Sequence, residues 1–476
     1  MKVLKLFIDE NIKIWKKFSN KLLILAVVLS LFGVLGLTKF MQYIEEDNQI
    51  SVQVESSNEY LKNEINYLKE QLKNEDMDAE SKDSIQKQLG EYELYLEYDI
   101  SLYEDTWKND IVRRIVDLRQ NEQNDEAEKL IQILKENNYS EYIKIQKEIL
   151  KTQLDNKEIE NKEYDDEILI LELKEKNEIG KNQDDWKTSV IREIQISQKS
   201  LRNGINQNTR KVLKAEEIQK LEDLVKIDIY RLEHNIAPTD EGSEQNYRLR
   251  FEMLSPMFVI AVISVIIVVI AGGTISTEVS SGTIKFWALT PNKRWKILTA
   301  KLMSILFYII IITLVMSLLS VAFANIFFKG DGATYLYVKN GEVKEIGNIL
   351  YTVELYFAKA IPVVMFALFA VMFSTITRNT AASVSFSMAL YMGNGIVMMI
   401  INQYIKKDWI KFVPFNNLDI ADKIFVNSTN VTQMVSDVSG NFATSTSLGF
   451  SIGILTVCAI LMFVTMYDSF NKRDII

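Results

Sequence analysis

Six stretches of the chain are apolar almost without interruption, each about as long as a helix that crosses a bilayer. Such a helix needs roughly 20 mostly apolar residues, because in lipid the backbone must satisfy its own hydrogen bonds. Leu22–Met41 (LLILAVVLSLFGVLGLTKFM) is the first, and Leu254–Gly273, Leu302–Phe328, Leu355–Ile376, Ala381–Ile401 and Leu448–Met466 follow. One such run could be the buried helix of a soluble core; six in one chain argue against it. The first run has a basic front, but no small-x-small cleavage site follows it, so it reads as a retained span rather than a signal peptide.

Between the first two runs the pattern changes. Residues Glu45–Ala237 contain no proline and few glycines, the two residues that helix interiors exclude. Leu61, Ile65, Leu68 and Leu72 repeat at a 4-3-4 spacing, and Ile218, Leu221, Val225, Ile229 and Leu232 at 3-4-4-3. Each set falls on one helical stripe, suited to coiled-coil-like packing, though each run is too short for an extended coiled coil. The segment also resembles itself. Trp107-Lys108, Ile111-Val112-Arg113 and Ile115 answer to Trp186-Lys187, Val190-Ile191-Arg192 and Ile194, and Leu68–Leu72 answers to Leu150–Leu154. A duplicated helical unit follows, with Trp107 and Trp186 expected as core anchors of the two copies. Asn203-Gly204, then Pro238 and Gly242, punctuate its end.

The expected fold class is therefore an all-α membrane protein with about six transmembrane helices and a large helical domain between helices 1 and 2. The boundaries are 1–21 for an interfacial helix, 22–44 for span 1, 45–250 for the helical domain and 251–476 for spans 2–6, with a connecting loop at 274–301.

Charge sharpens this division. The whole chain is at −9, but Met1–Ile44 carries +5, Phe251–Ile476 carries +4 and the middle carries −18. Lys2, Lys5, Lys13, Lys16, Lys17 and Lys21 precede span 1. Lys285, Lys293, Arg294, Lys296 and Lys301 lie between spans 2 and 3, Arg378 between spans 4 and 5, and Lys472 with Arg473 after span 6. These are alternate loops, so the positive-inside rule places both termini in the cytoplasm of a multi-pass plasma-membrane protein and the acidic domain outside. Lys406, Lys407 and Lys411 break the pattern mildly. Residues Met1–Lys21 mix Leu4, Phe7, Ile12, Trp15 and Phe18 with lysines, which suits an interfacial helix on anionic headgroups, or simply a positive-inside flank. The acidic face of the domain is either solvated surface or an attractor of cationic peptides.

Candidate chemistry is sparse. The single cysteine, Cys458, sits in an apolar run as a small buried residue, and His234 is the one histidine, so zinc sites and His-dependent triads lack their usual residues. No Gly-x-x-x-x-Gly-Lys-[Ser/Thr] phosphate loop occurs. The chain is not expected to be an enzyme, to bind a metal or cofactor itself, or to take a nucleic-acid partner.

The stretch after span 2 is the most informative. Thr277–Lys285 and Phe286–Lys296 read as a short amphipathic helix with Glu278 at its start, a breaker at Pro291 and a basic return to the membrane. Here the sequence resembles the ABC-2 type permeases. That family carries Glu-x-x-x-Gly-Thr-[Ile/Leu] after its second span, then Leu and Pro shortly before an Arg, then a Lys. The matching residues are Glu278, Gly282, Thr283, Ile284, Leu289, Pro291, Arg294 and Lys301. Ile361-Pro362, Ala367-Leu368, Ser374–Asn379 and Val413-Pro414 are similar to later family positions. The resemblance covers Met1–Met41 and Leu254 onward, and the large central domain departs from it.

The resemblance implies that these eight residues couple the chain to an ABC ATPase subunit that binds ATP and Mg. It also implies a second permease copy, identical or related. The function expected is export across a bacterial plasma membrane, with peptide and lipid-like cargoes both open. The competing expectation is a non-transporting receptor or scaffold that binds an envelope component through the central domain.

Smaller features complete the reading. Tyr335–Ile346 is a β-hairpin with Asn340-Gly341 at a type I′ turn. Glu354 and Lys359 stand at the outer end of span 4, where snorkelling accounts for them. Tyr391 and Asn394 in span 5 are weak candidates for lining a substrate path, an interhelical contact being the default for Asn394. Asn427 and Asn430 begin short glycosylation-like matches.

Overall fold

A computed structural model of the chain describes all of it except residues 1, 52–56, 74–77, 101–105, 182–185, 208–209, 239–245, 285–292, 405–407, 426–445 and 473–476. The described residues are mostly helical and divide into two compact units. One comprises Met1–Phe40, Pro238–Tyr337 and Lys344–Ile476; the other comprises Met41–Ala237 and Val338–Val343.

The first unit holds six helices long and apolar enough to cross a membrane. Helix α1 (Lys2–Lys16) comes before α2 (Phe18–Ser51), whose Phe18–Ile44 stretch is span 1. Spans 2 and 3 are α11 (Tyr247–Ser280) and α12 (Arg294–Phe327). Span 4 is α13 (Asn348–Lys359) followed by α14 (Ile361–Thr377). Spans 5 and 6 lie in α15 (Thr380–Tyr404) and α16 (Leu448–Lys472). The apolar runs of the sequence thus sit inside longer helices. Charged ends such as Tyr247–Arg250 and Arg294–Lys301 are invisible to a hydropathy pattern, yet they continue the helix because its backbone bonds already close there. The helix of span 2 accordingly begins at Tyr247, before the first apolar residue of its run. Span 4 was expected to be continuous, and is instead broken at Ala360. Pro362 at the second position of α14 offers no N–H to continue the ladder of α13.

Span 2 lies at the centre of this unit. Its Ile263 and Ile267 share one core with Leu31 of span 1, Tyr308 and Ile312 of span 3, and Phe366 and Ala370 of span 4. Lipid gives no hydrophobic drive for helices to associate, so close backbone approach and interhelical hydrogen bonds matter here. Gly272 supplies the approach: a Cβ built there would stand 2.9 Å from Val384 Cγ2 of span 5. Ser383 Oγ donates to the Gly272 carbonyl at 2.7 Å, and Ser374 Oγ of span 4 accepts from the Ser276 amide at 2.9 Å. Gly272→Ala is expected to overpack this crossing by about 1–3 kcal/mol. A lower thermal unfolding midpoint of the purified chain checks this, and an unchanged midpoint refutes it.

The second unit packs helices α3 (Ser57–Gln71), α4 (Ala79–Glu97), α5 (Trp107–Gln120), α6 (Asn124–Glu136), α7 (Tyr139–Asp155), α8 (Asn161–Asn177), α9 (Trp186–Asn203) and α10 (Ala215–His234). Leu61, Ile65 and Leu68 of the first stripe are buried. In the second stripe Leu221 and Leu232 are buried while Ile218 is exposed. The two self-similar segments take similar places. Trp107 and Trp186 each open a helix, and Ile111, Val112 and Ile115 of α5 are as buried as Val190, Ile191 and Ile194 of α9, in two separate apolar clusters. Trp107 is 3% exposed and packs on Tyr142 and Tyr139, with ring centroids at 5.4 and 5.9 Å, while Trp186 is half-buried. The halves are tied by hydrogen bonds to backbone carbonyls. The Trp107 amide donates to the Gly180 carbonyl at 2.8 Å, and the Tyr139 hydroxyl donates to the Ile179 carbonyl at 2.6 Å.

The hairpin is β1 (Tyr335–Lys339) and β2 (Glu342–Ile346), joined as expected through Asn340 and Gly341, both at positive φ (56° and 83°).

Candidate functional site

The site is built on the N-terminal helix. Helix α1 reads KVLKLFIDENIKIWK, and its apolar residues fall on two faces. Leu6, Glu10 and Asn11 are buried, whereas Leu4, Ile8 and Ile12, spaced four apart, are exposed. The buried face lies along span 3. Leu6 packs on Ile297 and Ala300, Phe7 meets Phe307 edge-on, and Trp15 packs on Tyr308 at 5.0 Å. Asn11 Nδ2 donates to Ser304 Oγ at 3.2 Å, and Ser304 Oγ donates on to the Phe7 carbonyl at 3.3 Å. Asn20 Nδ2 reaches back to the Ile14 carbonyl, closing the turn between α1 and span 1.

Four charges meet where α1 crosses the ends of spans 2 and 3. Lys301 Nζ donates to Glu278 Oε1 at 2.7 Å and to Glu10 Oε2 at 3.0 Å. Lys13 Nζ donates to Glu10 Oε1 at 2.8 Å and stands 3.7 Å from Glu278 Oε1. The side chains of Lys301, Glu10 and Glu278 are 2%, 7% and 19% exposed, so these pairs are largely shielded from water and salt. Burial opposes ionisation of Glu10, but Lys301 and Lys13 together outweigh it and hold the carboxyl below its usual range. A carboxyl depressed on folding contributes stability that is complete above its unfolded pKa and lost as pH falls through the lower folded value. Docking of α1 is therefore expected to be insensitive to pH above the ordinary carboxylate range and to loosen below it. Trp15 fluorescence, read with the other tryptophans replaced, should report the loosening, and Glu10→Gln should abolish the pH dependence.

Glu278 and Lys301 bracket the predicted coupling segment, but Glu278 does not start a loop helix. It lies in the last turn of α11, and the helix ends beyond it. Ser281 caps that end through the Thr277 carbonyl, and Gly282 turns the chain at φ +72°, a conformation a side chain strains. Thr283 Oγ1 donates to the Glu278 carbonyl at 3.3 Å, and Ile284 is buried. Leu289 and Pro291 lie outside the described residues, as do Asn427 and Asn430. Arg294 opens span 3 and donates from Nη1 to the Asn471 carbonyl at 3.1 Å, holding the end of span 6. Thus Glu278, Gly282, Thr283 and Ile284 form one turn, with Lys301 bonded to Glu278 and Arg294 joining the end of the last span. Sequence reasoning missed Glu10. Its signal was faint: Asp9-Glu10 is the one acidic pair in an otherwise basic flank.

The far end of span 2 carries a second buried carboxylate. Glu252 accepts from Arg248 Nε (3.1 Å), the Ala333 amide (2.6 Å) and Asn348 Nδ2 (2.9 Å). Arg248 also donates to the Gly330 carbonyl and to Asn325 Oδ1. Glu252 and Glu278 are 26 positions apart on one helix, about 39 Å at 1.5 Å per residue. That matches a bilayer of about 40–45 Å with its headgroups. Of the two weak candidates in span 5, the Tyr391 hydroxyl donates to the Ala261 carbonyl (3.4 Å) and lines a small cavity. Asn394 does not join it, and its amide turns back onto the Tyr391 carbonyl of its own helix.

Six helices long and apolar enough to cross a membrane, with buried carboxylates near both ends of span 2, define a multi-pass membrane protein. The chain belongs to the family described as "Protein of unknown function (DUF2705)", whose model matches residues 230–476. The match takes in spans 2–6 and leaves α1, span 1 and α3–α9 outside it. Among its relatives in Bacillus subtilis (strain 168), the uncharacterized membrane protein YdbK is 30% identical over 208 residues, 44% of this chain and 76% of that protein. The uncharacterized protein YhcI is 27% identical over 261 residues, 53% of this chain and 76% of that protein. No solved structure matches significantly.

Proposed function

We propose that the chain is the membrane-spanning subunit of an ATP-driven exporter, powered by a separate ATPase subunit that binds ATP and Mg. One observation carries this reading: Lys301 joins Glu10 and Glu278. A partner pressing on the segment between Gly282 and Arg294 would load Glu278 and Lys301 at the ends of two spans, and Glu10 would draw α1 along. Buried ion pairs suit such a role, since they hold one register and resist sliding. The resemblance to ABC-2 type permeases falls on the same residues. Under this reading the basic loops face the cytoplasm with both termini, the acidic helical unit faces outward, and the exposed stripe of α1 rests on the inner leaflet.

A second copy, identical or related, completes the pathway. Only 6% of the most apolar stretch of span 5 is buried within one copy, against 50% in spans 2–4, which leaves a face for lipid or for that copy. The cargo is a peptide or a lipid-like molecule.

The test is purification of the tagged chain from its native membrane, as wild type and as Glu278→Gln. Wild type is expected to bring an ATPase with it. Glu278→Gln keeps the shape of the side chain and is expected to lower that ATPase rate several-fold, in line with about 0.5–2 kcal/mol for residues on a coupling network. Wild-type chain that reproducibly arrives without an ATPase would overturn the exporter reading in favour of a receptor or scaffold that binds an envelope component.

A further inference from the structure

Helix α1 and span 3 leave an open groove of about 420 Å³ between them. That lies within the size range of small-ligand sites. Two neighbouring rows of α1 side chains form it, each spaced four apart along the helix. Phe7, Asn11 and Trp15 make the deeper row, buried or half-buried. Ile8, Ile12 and Lys16 make the exposed rim. Phe307 of span 3 closes the other side. Met303, Phe307 and Ile310, spaced four and three apart, continue from it as an exposed apolar stripe along span 3.

Two polar groups in this otherwise apolar lining are unanswered among the described residues. Asn11 is 9% exposed, and its Nδ2 uses both hydrogens, on the Phe7 carbonyl and on Ser304 Oγ. Its Oδ1 accepts from no described residue. A buried acceptor without a donor is costly, so a donor arriving from the groove would be bound well. Lys16 stands at one end of the rim and forms no ion pair among the described residues, unlike Lys13, which is bound to Glu10. Lys16 follows Asn11 by five positions, about 7.5 Å along the axis at 1.5 Å per residue. Its flexible four-carbon stem covers that distance. The groove therefore suits a molecule with an anion, a hydroxyl close to it and a hydrocarbon chain. Water supplies the hydroxyl alone; it neither fills an apolar groove nor balances Lys16. A phospholipid with a hydroxyl-bearing, anionic headgroup supplies all three. A choline headgroup has no donor for Asn11, and its own cation opposes Lys16.

We infer that this groove holds one anionic phospholipid of the glycerol-headgroup class. Its phosphate sits at Lys16, a headgroup hydroxyl donates to Asn11 Oδ1, and an acyl chain runs from Phe307 along Ile310 of span 3. The lipid covers one face of α1 while Glu10 ties the adjoining face to Lys301. This is more than a helix resting on a leaflet, because a single lipid is chosen by its headgroup. The choice needs no ATPase, so it holds or fails independently of the exporter reading.

Trp15 lines the groove and serves as the reporter. The full chain in uncharged maltoside micelles is titrated with phospholipids brominated on their acyl chains, which quench a tryptophan they touch. The share of quenching lost in Trp15→Phe belongs to Trp15. Three headgroups on identical chains are compared: phosphatidylglycerol, phosphatidylmethanol, which keeps the charge and lacks the hydroxyls, and phosphatidylcholine. Phosphatidylglycerol is expected to quench Trp15 at a mole fraction about fivefold below phosphatidylcholine, the effect of one lysine on a charged lipid, and below phosphatidylmethanol as well. Lys16→Gln should remove most of the advantage over phosphatidylcholine. Lys5→Gln, on the same helix but outside the groove, should leave it. Both lysines are exposed, so neither result is a loss of folding. Asn11→Leu should remove the advantage over phosphatidylmethanol. No quenching of Trp15 by any of the three lipids, quenching by phosphatidylglycerol no stronger than by either of the others, or equal effects of Lys16→Gln and Lys5→Gln would each overturn the proposal.

Discussion

Lys301→Met is expected to destabilise the chain by about 3–5 kcal/mol, the cost of removing one partner from a buried ion pair. Lys301 is the member that answers both Glu10 and Glu278, and it is itself 2% exposed. With it gone, two carboxylates lose their most buried cation, and Lys13, which also reaches both, is 53% exposed. A lower thermal midpoint and loss of the Trp15–Tyr308 packing signal in purified protein would record the effect. Glu10→Gln with Glu278→Gln in the Lys301→Met background should recover much of that stability, because replacing the three shielded charges removes the desolvation penalty with the attraction, and Lys13 stays exposed to water. Under the exporter reading the triple variant would be folded yet poorly coupled. If Lys301→Met melts like wild type, the cluster is not a structural tie.

Trp107→Ala should cost the helical unit a similar amount, about 3–5 kcal/mol for emptying a large buried aromatic site. The indole is 3% exposed, lies against Tyr139 and Tyr142, and sits beside the amide that binds the Gly180 carbonyl. A cavity there would loosen both the α5–α7 packing and the tie between the halves. Trp186→Ala empties a half-buried site and should cost clearly less. Limited proteolysis of the full chain within residues 57–237 separates them. Cleavage through the open form tracks its population, so Trp107→Ala should raise the rate by roughly two to three orders of magnitude at about tenfold per 1.4 kcal/mol. Equal effects of the two substitutions would mean that the self-similar segments are equivalent in packing as well as in sequence.

Much of this architecture could be read in advance, for reasons that differ by element. The spans announce themselves because lipid imposes one requirement on every residue of a long run. The hairpin turn at Asn340-Gly341 was legible because few residues tolerate two successive positive φ values. Trp107 was legible as a core anchor from its place in the repeat, and Leu61, Ile65 and Leu68 because a helix that hides one stripe must repeat it at helical spacing. Glu10 was not. An acid in a lysine-rich flank looks like ordinary surface, and only the crossing of α1 over spans 2 and 3 sets it beside Lys301. Glu278 was picked out by its spacing to Gly282 and Thr283, but its place at the end of the span-2 helix depended on how far that helix runs. Asn11 and Ser304 carry no motif at all; they lie 293 positions apart and meet only in space.

Local chemistry in the chain thus determined which segments enter a membrane, which form the intervening helical unit and where the tight turns fall, since backbone hydrogen bonding and apolar spacing act along the sequence. The tertiary structure alone decided which charges are paired, how closely spans 2 and 5 approach at Gly272, and which walls enclose the cavities near the Glu252 end of span 2. Those are contacts between distant residues, whose energies depend on burial and on separations of a few ångströms, and neither quantity exists until the helices have packed.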